Sequence, residues 1–265
     1  MPKKMILGQM FSIPDDIDIN LDRKRSTEAE IMNTIRGNLT GYDCELCRNK
    51  GVIYYNNADG ELVYKPCSCI AKRKTYQRIR KSGLGNVLDR YSFDNFVVNS
   101  DYQNMIKNTA MKFVNSEVPC FFIGGQSGVG KTHICTAIMR ELLNQGQSGV
   151  YMQWRTHSSE LKQNINDQSY KSMIEPYKSA DILYIDDLFK TRKGEKPTTS
   201  DLNLAFEIIN SRYLNWSRTI ISSEFHLSEI IDFDEAVGGR IKEMCPGFKL
   251  DVARDRSRNY RLSNV

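Results

Sequence analysis

Residues Gly125-Gln126-Ser127-Gly128-Val129-Gly130-Lys131-Thr132 form an uninterrupted G-x-x-x-x-G-K-T phosphate loop between the apolar run Cys120–Ile123 and a helical stretch starting near His133. Strand, loop and helix in that order are the context the motif requires, and they predict binding of a nucleoside triphosphate. The glycines let the backbone wrap the phosphates with its N–H groups pointing inward, while the following helix presents the positive end of its dipole. Lys131 is expected to reach the β- and γ-phosphates, and the Thr132 hydroxyl to ligate Mg²⁺.

A second site is expected from four grouped cysteines. Cys44-Glu45-Leu46-Cys47 and Cys67-Ser68-Cys69 are separated by 19 residues that read as strand, turn and strand: Gly51–Tyr55, Asn56–Gly60 and Glu61–Tyr64. A hairpin would bring both pairs together as four thiolates around one tetrahedral Zn²⁺. The count of seven cysteines is odd and no export signal is visible, which argues against a disulfide framework. Cys120, Cys135 and Cys245 are expected to be small apolar fillers.

The 265 residues, 40% hydrophobic, allow one α/β domain of usual size plus a smaller module. No run of about 18 apolar residues exists and no long apolar segment stands behind Met1–Ile6, so neither a membrane span nor a secretory signal is visible and a cytoplasmic protein is expected. The net charge of +5 is unevenly spread: Lys72, Arg73, Lys74, Arg78, Arg80, Lys81 and Arg90 face Asp89 alone between residues 71 and 90. Such a block suits nucleic acid or an acidic partner, or simply a solvated helix face.

Along the chain we read a polar arm over residues 1 to 40 with a helix near Thr27–Ile35. After the zinc hairpin comes a basic helix from Ile70 to Lys81, broken at Ser82-Gly83. Tyr91–Phe96 forms an aromatic lead-in segment, followed by a helix from Tyr102 to Asn115. Strands Phe121–Gly124, Gly149–Trp154, Ile182–Asp186 and Thr219–Ser222 then alternate with helices at 132–145, 158–180, 199–215 and from Leu227. This pattern predicts a parallel sheet with helices on both faces. The expected division is an N-terminal part, residues 1–82, and an ATPase domain, residues 83–265.

Ile182-Leu183-Tyr184-Ile185-Asp186-Asp187 is an apolar strand ending in two carboxylates, 55 residues after Lys131. It has the character of a Walker B strand: Asp186 is placed to hold Mg²⁺ and Asp187 to polarise the attacking water. An Asp at that second position is shorter than a Glu, so slow turnover is expected. Ser222 and Glu224, closing the strand Thr219–Ser222, are candidates for sensing the γ-phosphate. Arg240, in Gly238-Gly239-Arg240-Ile241, is a candidate arginine finger acting on ATP held by a neighbouring subunit.

Taken in order, these segments resemble the replicative helicase loaders of the DnaC/DnaI type, AAA+ ATPases of bacteria and their phages. The resemblance rests on the C-x-x-C and C-x-C pairs, Ser92-Phe93-Asp94-Asn95-Phe96, the loop Gly125 to His133, Ile185 to Lys190, Ile220 to Glu224, Gly239-Arg240-Ile241 and Asn259-Tyr260-Arg261-Leu262. It implies a P-loop AAA+ core preceded by a small zinc-binding module, with ATP, Mg²⁺ and Zn²⁺ as cofactors. It further implies that the N-terminal part docks on the replicative DNA helicase, that the ATPase domain binds single-stranded DNA, and that subunits assemble in a spiral. Thr156 to Met173 would face the DNA strand, with Lys162 and Lys171 as phosphate contacts. Only 25 residues follow Arg240, so no full helical lid is expected and Arg261 is the candidate for the lid arginine. Two further readings stay open: an IstB-type transposition regulator, which shares the ATPase core, and an adaptor that uses bound ATP as an assembly signal with little turnover.

Overall fold

The computed structural model describes residues 5–6, 9–10, 27–40, 43–79, 84–191 and 195–260. The first part of the expected N-terminal arm, the helix break at Ser82-Gly83, and Arg261 and Leu262 lie outside them. The chain divides into two compact units, Met1–Cys67 and Ser68–Val265.

In the first unit, β1 (Met5–Ile6) pairs antiparallel with β2 (Gln9–Met10). Helix α1 (Glu28–Thr34) starts where expected because Thr27 and Glu30 cap each other: the Glu30 amide donates to Thr27 Oγ1 at 3.3 Å and the Thr27 amide to Glu30 Oε2 at 2.7 Å. Strands β3 (Val52–Asn56) and β4 (Leu62–Pro66) form the expected hairpin, with Tyr54 opposite Tyr64. Its turn is held by the Asn57 side-chain oxygen, which accepts from the Asp59 and Glu61 amides at 3.0 and 2.9 Å.

The second unit opens with α2 (Cys69–Ile79), α3 (Gly85–Arg90) and α4 (Asp101–Val114). Then follow β5 (Cys120–Gly124), α5 (Lys131–Asn144), β6 (Gly149–Gln153), α6 (Trp154–Gln163), α7 (Tyr170–Ser179), β7 (Ile182–Leu188), α8 (Thr199–Leu214), β8 (Arg218–Ser223), α9 (Leu227–Phe233), α10 (Glu235–Met244) and β9 (Lys249–Asp251). The five strands are parallel in the order β6-β7-β8-β5-β9. Successive side chains of a strand point to opposite faces. Cys120 and Phe122 accordingly join Leu183, Ile185, Ile221 and Trp154 in the core beneath α6, α8 and α10, while Phe121 meets Phe113 of α4 on the other side.

Three readings change. The single helical region expected over 158–180 is two helices, because the polar stretch 164–169 folds as a turn in which Asp167 Oδ1 accepts the Ser169 amide at 2.7 Å. The strand β9, absent from the sequence reading, extends the sheet beside β5. The basic helix α2 is partly committed to packing: Lys72 Nζ donates to the Asn144 carbonyl at 2.8 Å, a cation at the C-terminal end of α5, and Tyr76 donates to the Asn144 side chain at 2.9 Å.

Candidate functional site

The phosphate loop leaves β5 and ends at the N-terminus of α5, as the motif requires. Gly128 and Gly130 hold φ of 85° and 93°, left-handed conformations that favour glycine. Space adds to this at Gly130, where a Cβ would stand 2.9 Å from the Phe96 ring, while a Cβ at Gly128 would meet the side chain of Asn259. Lys131 is buried and donates from Nζ to the carbonyls of Gly125 and Gln126 at 2.7 and 2.9 Å. Burial lowers its pKa, opposed by the charges of Asp187 and Glu224.

Asp186 is the hub of the floor. Its Oδ1 accepts from Ser222 Oγ at 2.6 Å, Tyr184 OH at 2.7 Å and Thr132 Oγ1 at 3.4 Å, and its Oδ2 from Tyr151 OH at 3.0 Å. Tyr184 precedes Asp186 by two residues on one strand and therefore shares its face; Tyr151 stands opposite Tyr184 on the adjacent strand. Burial, with the Asp186 charge second, raises the pKa of both phenols, so they remain donors. The sequence reading missed both tyrosines, although the i, i+2 spacing of Tyr184 and Asp186 was a usable signal.

Asp187 sits at an irregularity in the β7–β8 pairing, with φ of 57°. Its amide donates to Ser222 Oγ at 2.9 Å, so one serine hydroxyl serves both carboxylate residues of the strand. Lys190 Nζ bridges Asp187 Oδ2 at 2.6 Å and Glu224 Oε1 at 3.1 Å. Ser222 lies near the end of β8 and Glu224 just beyond it, on the strand that pairs with β7.

Lys131, Thr132, Asp187, Lys190 and Glu224 line a cleft of about 650 Å³, which also takes in Arg90, Tyr91, Phe96, Val97, Gln103 and Tyr260. His133 fixes the lead-in segment over the loop. Its ring stacks on Tyr91 at 4.4 Å, meets Phe96 edge-on at 5.0 Å, and hydrogen-bonds through Nε2 with Ser92 O and Asn95 Oδ1 at 2.9 and 3.0 Å. His133, the last of the expected loop residues, also lines the cleft. At the other end the chain after β9 returns across the loop: the Tyr260 amide donates to Gly128 O at 3.1 Å, the Asp255 amide to Gln126 Oε1 at 3.0 Å, and Gln126 Nε2 to the Asp255 carbonyl.

Arg240 lies outside the cleft lining. Its Nε donates to Asn210 Oδ1 at 2.9 Å and its guanidinium covers the rings of Phe206 and Tyr213 at 4.8 and 5.5 Å. Lys162 is ion-paired to Asp201 at 2.6 Å, where Asp201 caps α8, whereas Lys171 is exposed.

The four grouped cysteines have reached one place: the Sγ atoms of Cys44, Cys47, Cys67 and Cys69 lie within 4.8 Å of one another, and all four are buried. Cys44 and Cys67 sulfurs are 3.8 Å apart. That matches the edge of about 3.8 Å that a tetrahedron with Zn–S of about 2.3 Å demands. The Gly51 amide donates to Cys47 Sγ at 3.3 Å, stabilising a thiolate there, in a turn where Arg48 and Asn49 both take positive φ. The residues therefore fit Zn²⁺. Cys120, Cys135 and Cys245 are buried fillers as expected, and burial raises each thiol's pKa, that of Cys245 to about 12. Among the described residues no helix is long and apolar enough to cross a membrane.

Residues 87–245 match the family of the bacterial DnaA ATPase domain. The phage-like element PBSX protein XkdC of Bacillus subtilis (strain 168) is 31% identical over 240 residues, which cover 84% of this chain and 88% of XkdC. Among solved structures, the DnaC helicase loader superposes with a TM-score of 0.54 at 21% identity, over 63% of this chain and 99% of the solved one. The replication initiator DnaA bound to AMPPCP and single-stranded DNA gives 0.52 at 22% identity, over 63% of this chain and 50% of that one.

Proposed function

The chain belongs to the bacterial DnaA ATPase domain family, and on that premise we propose that it is an AAA+ ATPase that loads a replicative DNA helicase onto single-stranded DNA. The observation that carries the reading is the convergence of Lys131, Thr132, Asp187 and Glu224 at one cleft with the phosphate loop, and of Asp186 behind Thr132, whose hydroxyl donates to it. When bound, Mg²⁺ would neutralise phosphate charge from Thr132 and Asp186, and Zn²⁺ would staple the cysteine module. Lys131 exchanges its two loop carbonyls for phosphate oxygens. Asp187 polarises the attacking water, Ser222 keeps Asp186 and Asp187 in register, and Arg240 acts on ATP of an adjacent subunit.

The loader role is supported by the likeness of 63% of this chain to nearly all of the solved DnaC helicase loader chain and by the cysteine module ahead of the ATPase core. In this reading residues 1–82 dock on the helicase, residues 83–265 are the ATPase domain, and subunits assemble in a spiral. Single-stranded DNA is supported by the DnaA complex. Lys171 stays a candidate phosphate contact; Lys162 would first have to leave Asp201.

The test is capture of the host replicative helicase by the purified protein with and without ATP, together with hydrolysis measured with and without single-stranded DNA. ATP-dependent capture that Lys131→Ala abolishes is expected; a protein that binds no nucleotide refutes the reading. An ATP-switched adaptor with little turnover is the second reading, favoured by the ion pair that occupies Asp187. It predicts capture with ATP and negligible hydrolysis under every condition.

A further inference from the structure

Lys190 has no task in the reading above, yet its position is specific. The chain turns back after β7, with Phe189 at φ of 63° and the Lys190 amide donating to the Asp187 carbonyl at 2.9 Å. That turn returns the ammonium to the ends of two neighbouring strands, where it bridges Asp187 and Glu224 and lines the same cleft as Lys131 and Thr132. It is near enough to Lys131 for the two charges to oppose each other.

The charge balance at this end of the cleft is what calls for a cation. Asp186, Asp187 and Glu224 place three carboxylates around Lys131 and Lys190. The loop amides and the α5 N-terminus serve the phosphates bound in the loop and Mg²⁺ would offset Asp186, but a further phosphate projecting past them meets the Asp187 and Glu224 carboxylates, and Lys190 is the ammonium that pairs with both. Its side chain is one-third exposed on a flexible stem, so it can exchange carboxylate oxygens for phosphate oxygens without unpacking the core. Burial lowers its pKa, but the hydrogen bonds and charges of Asp187 and Glu224 outweigh that and hold it above the ordinary lysine value, so it is charged.

We infer that Lys190 binds the γ-phosphate of ATP, so that the cleft selects ATP over ADP, and that in turning to it Lys190 releases Asp187 and Glu224. This rests on the ATP site proposed above. It also explains how an ion-paired Asp187 becomes free when, and only when, a γ-phosphate is present.

Calorimetric titration of the full chain with Mg-ATP and Mg-ADP tests it. Wild type should prefer ATP. Lys190→Gln should lose about tenfold in ATP affinity with ADP affinity held within about twofold, the size of one charge-assisted hydrogen bond. Lys190→Arg should retain the preference. Because Lys190→Gln also leaves two carboxylates unscreened, the deciding protein combines Lys190→Gln with Asp187→Asn and Glu224→Gln. If Lys190 contacts the phosphate directly, the ATP preference stays lost in that triple variant. Its return to the wild-type ratio would overturn the inference by showing that Lys190 only screens. An unchanged ratio in Lys190→Gln, equal weakening of both nucleotides, or a wild type that does not distinguish them would overturn it as well. Should the triple variant not fold, Lys190→Arg decides: loss of the preference there refutes the contact and retention supports it. A wild type that binds neither nucleotide sinks the ATP site itself, which the Lys131→Ala control distinguishes from failure at Lys190 alone.

Discussion

Ser222 Oγ donates to Asp186 Oδ1 at 2.6 Å while accepting the amide of Asp187 at 2.9 Å, so a side chain on β8 fixes both consecutive carboxylate residues at the end of β7. A hydroxyl is needed for both, since one bond uses its proton and the other its lone pair. Ser222→Ala leaves an amide at a strained, left-handed position without its acceptor and should cost about 1–3 kcal/mol of stability. Hydrolysis should fall more than ATP affinity, because the phosphate loop is untouched. A variant with wild-type turnover in a steady-state phosphate-release assay would show that Ser222 does not align the pair.

The packing of the lead-in segment should be sensitive to acid. Burial lowers the pKa of His133 below its ordinary 6.5, with the Ser92 hydrogen bond opposing. The unfolded chain therefore binds the proton more tightly than the folded one, and the His133 contribution is intact above pH 6.5 and is lost as the pH falls below it. Thermal melts from pH 8 to pH 5 (about the span in which histidine titrates) should show this decline, and His133→Gln should flatten it. An identical slope in the variant would assign the acid sensitivity elsewhere.

Metal analysis of protein purified without chelators should find about one Zn²⁺ per chain. Cys47→Ser should lower that content and loosen the first unit, since a hairpin this small lacks a core of its own. Release of zinc by a thiol-reactive mercurial, followed with a chromogenic chelator, provides an independent count. Protein containing no zinc and folding normally would remove the module's metal.

Arg240→Ala should keep ATP affinity and lose hydrolysis. Mixing it with Lys131→Ala protein, which retains Arg240 but binds no ATP, should restore part of the activity, because each shared interface can pair one intact half from each partner. The bond from Arg240 to Asn210 and its cover over Phe206 and Tyr213 give the substitution a stability cost too, so melts of both variants accompany the assay. If the mixture stays inactive under conditions where wild type turns over, the action in trans is wrong.

The phosphate loop with its strand and helix, the Walker B carboxylates, the alternation that makes a parallel sheet, and the helix near Thr27–Ile35 each depend on a few consecutive residues and were legible in the sequence. Backbone geometry and apolar periodicity dictate these locally, and the two cysteine pairs around a hairpin belong with them because a turn brings its own ends together. Tertiary structure alone decided the rest. Tyr151 became a partner of Asp186 only through the register of β6 on β7, and Lys190 found Glu224 only because β7 and β8 are neighbours. The strand β9 has a single buried side chain, Leu250, too little to show a period, and it forms because the edge of β5 offers its hydrogen bonds. Asn259 reached Gly128 across 130 residues of intervening sequence. Such contacts are chosen by which strands lie side by side and by charges that need partners when buried, and neither can be seen before the sheet order is known.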